Sequence, residues 1–244
     1  MSFPPSPFAR RTQQFITHNN TTVEENNFQS NDLLYVTNSN HANIKLTGAR
    51  CMKIILDGNN HSTLTFNVNS ITTGFVEVMK CDSTKIIIGP NCVHKINTLQ
   101  LDALNNCEII FNLADENSSN IEYMTNFCSE LSIISNIECK NIKMIIQTES
   151  GTVLFDSLMI FETVEEHILQ NNRSSIQFKS KFSPSTAVDQ TISMETEIVI
   201  REGLNGYVST KRRNKQKTRF NKNSMKRWTS SSKRMDFKSK TNNH

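Results

Sequence analysis

The chain has 244 residues, with 27 Lys and Arg against 23 Asp and Glu and a hydrophobic fraction of 36%. That length accommodates one domain with tails, and no run of 18 apolar residues occurs, which excludes a membrane-spanning helix. The net charge of +4 hides an asymmetry, because residues 209–244 carry 13 Lys and Arg against Asp236 alone while the rest of the chain carries −8.

Residues 1–21 read as a flexible arm that starts Phe3-Pro4-Pro5-Ser6-Pro7 and lacks the apolar core of a signal peptide, so a cytoplasmic location is expected. From residue 22 a short strand pattern returns every 10 to 13 residues. One series of strand starts is Val23, Ile44, Leu64, Ile86, Ile109, Leu131 and Val153; the other is Leu33, Ile54, Phe75, Leu99, Ile121 and Ile142. Ile44-Lys45-Leu46-Thr47, Leu64-Thr65-Phe66-Asn67-Val68, Leu99-Gln100-Leu101-Asp102 and Ile121-Glu122-Tyr123 each place alternate residues on one face, as half-buried strands do. Groups such as Asp57-Gly58-Asn59-Asn60 and Gly89-Pro90-Asn91 supply the turns between them. A coil of about 22 residues with two strands cannot bury its apolar face alone, so coils must stack. The expected fold is all-β: a right-handed parallel β-helix, or β-solenoid, over residues 22–182, with no helical periodicity.

Phe161–Leu169 is the one acidic, helix-like turn, and Ser175–Lys179 is an alternating strand that could cover the last coil. Residues 183–208 are expected to form a linker and then a hairpin of Glu197–Arg201 with Leu204–Val208, turning at Asn205-Gly206. Residues 209–244 are expected to be disordered by charge repulsion. Lys211, Arg212, Arg213, Lys215, Lys217 and Arg219 form the core of this basic tail, suited to an acidic partner such as nucleic acid or to nuclear import.

Chemistry-bearing motifs are absent from the sequence. The six cysteines, at 51, 81, 92, 107, 128 and 139, include no C-x-x-C pair and read as thiols packed in the stack. The six histidines make no H-x-H or H-E-x-x-H group and read as surface residues. No phosphate-binding glycine loop or nucleophile elbow is present. Asp115-Glu116 and Glu165-Glu166 are paired carboxylates in loops, which are ordinarily solvated. The chain is therefore expected to be no enzyme and to need no metal or cofactor.

The two-strand coil and the exit from the stack resemble the C-terminal domain of cyclase-associated proteins, within the superfamily shared with tubulin-binding cofactor C. The strings that carry the resemblance are Thr148-Glu149-Ser150-Gly151, Phe155, Val164-Glu165-Glu166-His167-Ile168 and Ile176-Gln177-Phe178-Lys179-Ser180-Lys181. It covers about residues 22–182, and Thr148, Glu149, Gly151 and Glu166 mark the closing segment. It implies a regulator of actin dynamics that binds actin monomers and promotes nucleotide exchange on ADP-actin through a solenoid face. It also implies a homodimer made by exchange of the final strand, with Ile176 and Phe178 in that role. The other function class open to such a fold is a structural or assembly protein whose basic tail binds an acidic partner.

Overall fold

The computed structural model describes residues 12–30, 32–117, 120–136, 138–159, 176–184, 192–202 and 206–218. Strands alternate between two sheets. The first sheet takes β1 (Thr12–Ile16), β3 (Asp32–Thr37), β5 (Lys53–Asp57), β7 (Phe75–Met79), β9 (Thr98–Asp102) and β11 (Ser132–Asn136) in parallel order. The second takes β2 (Thr22–Glu25), β4 (Asn43–Gly48), β6 (Thr63–Val68), β8 (Lys85–Ile88), β10 (Glu108–Leu113) and β12 (Lys143–Thr148). The stacked β-solenoid expected from the period is therefore the observed fold. Register advances by 20 to 23 residues per coil: Thr12 lies opposite Asp32, Leu33 opposite Lys53, Ile54 opposite Val76, and Phe75 opposite Thr98.

Parallel strands in register stack equivalent side chains above one another. One column of the first sheet runs Leu34, Ile54, Val76, Leu99 and Ile133; one column of the second runs Ile44, Leu64, Ile86, Ile109 and Met144, all buried. These columns are the core.

The tight corner from the first sheet to the second is built alike in the second to fifth coils. Two residues in the left-handed region reverse the chain: Asn38 and His41, Gly58 and His61, Lys80 and Ser83, Ala103 and Asn106. Gly58 has φ +67°, and a Cβ there would lie 2.8 Å from Asn38 Oδ1, so the position favours glycine. Between them a residue points inward: Ser39, Asn59, Cys81 and Leu104 in turn, all buried. The buried Asn59 side chain donates to Val36 O (2.8 Å) and accepts from Ser39 N (3.1 Å), while Thr84 Oγ1 donates to Asn59 O (2.8 Å). Corner backbone groups that no strand can reach are satisfied this way.

The opposite corner lengthens along the stack until it holds α1 (Ile121–Glu130). This corrects the expectation of an all-strand repeat. Asn120 caps the helix by accepting from Tyr123 N at 3.1 Å, and Met124, Phe127 and Cys128 form its buried face. The insertion shifts the frame, so that Thr98 pairs with Ser132 and Glu108 with Lys143. Leu131 thus leads into a first-sheet strand and Ile142 into a second-sheet strand, the reverse of the two series read from the sequence, and Ile121 is helical.

Past β12 the strands turn antiparallel. β13 (Val153–Leu158) closes the second sheet, and β14 (Ile176–Pro184), β15 (Ile192–Glu202) and β16 (Gly206–Thr218) extend the first. Three domain limits need correction. β1 lies within the expected flexible arm, β14 and β15 extend into the expected linker, and β16 makes the first part of the basic tail a strand. The hairpin turning near Asn205-Gly206 is observed and belongs to the first sheet, with Glu202 opposite Gly206. Phe161–Leu169 lies outside the described residues.

Phe111, Phe127, Phe155 and Phe182 meet at this end, with ring centroids 5.2 to 6.3 Å apart. Phe182→Ala removes the ring that touches the other three, and a loss of about 3–5 kcal/mol of stability is expected, measured by urea unfolding. A loss under about 1 kcal/mol, the level of a surface substitution, would show that the cluster does not hold this end together.

Candidate functional surface

Outward-facing positions also align in columns, and the columns differ by face. On the first sheet, Phe15, Tyr35, Ile55 and Glu77 succeed one another. Phe15 is 66% exposed, and its ring stacks on Tyr35 at 4.9 Å between centroids, inclined by 20°. Ile55 is only 6% exposed although it faces outward. Beside it, Lys53 Nζ bonds Glu77 Oε2 at 2.6 Å and lies 4.4 Å from the centre of the Phe75 ring. The result is an aromatic and aliphatic surface across four neighbouring strands, with one half-buried ion pair at its margin.

The second sheet presents ions instead. Glu24 receives Thr47 Oγ1 at 2.7 Å and Lys45 Nζ at 3.3 Å, and those contacts, the Thr47 bond first, hold its carboxyl below the usual range. Lys85–Glu108 (3.8 Å) and Lys143–Asp156 (3.1 Å) continue the pattern farther along. Exposed pairs of this kind add solubility and little stability.

At the tight corner, His41 and His61 stack at 5.0 Å and 9°, beside an open, polar hollow of about 660 Å³ lined also by Asn20, Thr22, Asn43 and Thr63. His94 departs from the expected surface position. Its Nδ1 is buried without a hydrogen-bond partner, and desolvation, then the charge of Lys95, lowers its pKa. Among the described residues no group of three His, Cys, Asp or Glu is placed to hold a metal ion, and no helix is long and apolar enough to cross a membrane.

The residues singled out in the sequence are scattered. Thr148, Glu149 and Gly151 make the tight turn from β12 to β13: Gly151 N donates to Thr148 O (2.9 Å) and Glu149 N to Leu113 O (2.9 Å). Asp115 Oδ1 accepts from Ser150 Oγ (2.8 Å) and Ser150 N (3.1 Å), and these bonds lower its pKa. Glu166 and Arg219 lie outside the described residues. Ile176 opens β14, and Phe178, on the same strand, is 1% exposed within its own chain. Lys211, Arg212, Arg213, Lys215 and Lys217 all lie on β16, where Arg213 is opposite Glu197 and Lys215 opposite Glu195.

Phe15 was missed because it lies in the arm. Its signal is the coil period itself, since Ile16 pairs with Val36 and Phe15 with Tyr35 at the 20-residue step of the next coil. No family model matches the chain, and no curated protein matches its sequence.

All six cysteines are buried free thiols. Burial pushes the thiols of Cys51, Cys81, Cys92 and Cys128 up to about 12, that of Cys139 to about 11, and that of Cys107 upward as well. The folded chain therefore holds protons that the unfolded chain gives up from about pH 8.5. Stability should fall as pH rises from about 9 toward 12, and at pH 8 the native thiols should resist a maleimide that labels all six after unfolding. Rapid native labelling would contradict the burial.

Proposed function

We propose that this chain is a binding protein which presents the outer face of its first sheet to a protein partner, and that the partner is monomeric actin. The observation that carries the reading is the exposed Phe15 ring stacked on the half-buried Tyr35 at one side of the first sheet, because exposed apolar surface marks sites of protein association. Actin enters through the resemblance of the coil pattern and closing strings to the cyclase-associated family. Regulation of nucleotide exchange would work by differential affinity: a surface that binds better to an open actin state shifts actin toward that state and so releases ADP. No residue of the chain needs to take part in a covalent step.

The homodimer implied by the same resemblance would form by exchange of β14. The incoming strand would occupy the slot beside β11 that β14 fills here, with its Phe178 buried as it is in one chain. A cytoplasmic site of action accompanies this reading. A second reading, an assembly protein with an acidic partner, is favoured by the five Lys and Arg placed on β16, the last strand of the first sheet. That binding would weaken steeply with salt, and a nuclear location would suit it.

The deciding experiment is release of fluorescent nucleotide from ADP-actin. The full chain should accelerate release to saturation, and Phe15→Ala with Tyr35→Ala should weaken it at least about tenfold if these rings are binding hot spots. A chain ending at Thr218 should act like the full one. No acceleration by the full chain, or equal activity in the double variant, would overturn the assignment to this face.

A further inference from the structure

Inner positions of the second to fifth coils are mostly apolar, and the first coil breaks that rule at three places. In β1, Gln14 stands in the column of Leu34, and in β2, Glu25 stands in the column of Leu46. At the corner between them, His18 N donates to Ser39 Oγ at 3.1 Å, next to an inner position that is fully buried one coil later. Two of the three polar groups are tied to each other and the third to the rim. His18 Nε2 and Glu25 Oε1 are 2.8 Å apart across the mouth of the stack, and Gln14 Nε2 donates to Asp32 Oδ2 (3.0 Å) and Asn27 O (3.1 Å).

This end is also where the sheets have open edges. β1 pairs only with β3 and β2 only with β4 among the described residues, so each presents a row of backbone donors and acceptors. Two such edges, one on each sheet and flanking an apolar interior, would suit a second copy of the same chain docked end to end, since the two-fold related edges would pair with each other. The far end is built differently, its edge strands β13 and β16 being antiparallel to their neighbours and its last coil packed with the phenylalanine cluster.

We infer that the first coil is a stop coil, in which Gln14, His18 and Glu25 keep two copies from joining at this end. A carboxylate and an imidazole at inner positions would be stripped of water by a docked neighbour, and that desolvation costs free energy that apolar side chains at the same positions would not lose. Inward-pointing charge at an edge is a known means of blocking strand addition, and terminal coils of a solenoid need a polar outer side. The device is independent of the actin reading, and it limits assembly through this end in any function.

The test replaces all three groups in the full chain, Gln14→Leu, His18→Leu and Glu25→Leu, and follows mass by light scattering with amide hydrogen exchange over β1 and β2. The expected result is a mass at least double that of the parent, with exchange in β1 and β2 slowing as concentration rises. A folded variant with the parent's mass would overturn the inference, as would a heavier one whose β1 and β2 amides stay unprotected. If the leucine variant fails to fold, His18→Ala with Glu25→Ala removes both polar side chains without added bulk and is judged by the same readouts. A Glu24→Leu control, on the outer face of β2, should keep the parent's mass.

Discussion

Register between parallel strands is the constraint on which the rest depends. Through the first five coils each strand must find its equivalent 20 to 23 residues later, and a slip of one residue would turn every apolar column outward. The tight corner enforces this register. Its paired left-handed residues fix the length of the link between the sheets, and buried Asn59, Ser62 and Thr84 tie successive corners together: Ser62 Oγ, for example, accepts from Ala42 N at 3.1 Å and donates to Asn60 O at 2.8 Å. From the second to the fifth coil this corner keeps one length, so the insertions between those coils fall at the other corner, and the longest insertion in the fold, which holds α1, is placed there too.

That division explains which parts of the fold could be read from the sequence. From Val23 to Ile109 the apolar spacing follows the constrained corner: Val23, Ile44, Leu64, Ile86 and Ile109 form one observed column, whereas in the other series Leu33 and Phe75 each precede by one residue the true column mates of Ile54 and Leu99, which are Leu34 and Val76. Beyond Leu113 the variable corner adds a helix whose apolar residues, Met124, Phe127 and Cys128, follow a period of three to four instead of two. Ile121-Glu122-Tyr123 mimics alternation over three residues only, and it is the following turn that discloses the helix. Because the insertion displaces the next pairing to Ser132 and Lys143, a reading by constant period exchanges the two sheets at Leu131 and Ile142.

At both ends, order depended on partners that lie far away in sequence. Gln13 and Gln14 around Phe15 look like an unstructured polar arm until β3 is placed alongside. Lys211 to Lys217 look like a self-repelling tail when counted alone. The register sets Lys179, Glu197 and Arg213 on three successive strands, and Lys181, Glu195 and Lys215 beside them, so that the acidic strand lies between two basic ones. Opposite charges directly across from each other favour pairing by about 0.2–1 kcal/mol each. Net charge over a window therefore overestimates disorder where an acidic strand precedes it.

The candidate surface follows from the same register. A column of outward residues at the strand spacing of about 4.8 Å brings Phe15 and Tyr35 into ring contact without any side chain having to search for its partner, because the backbone ladder has already aligned them. The surface is accordingly preorganised, and binding to it would sacrifice little side-chain freedom. Lys53 is held in two ways, by Glu77 and by the Phe75 ring, so its charge is largely answered within the chain. A partner for this face would be recognised mainly by apolar and aromatic contact, with specificity from the shape of the ladder, whereas an acidic partner would have to engage the basic positions on β16. These are two different surfaces at opposite ends of one sheet, and occupation of one need not exclude occupation of the other.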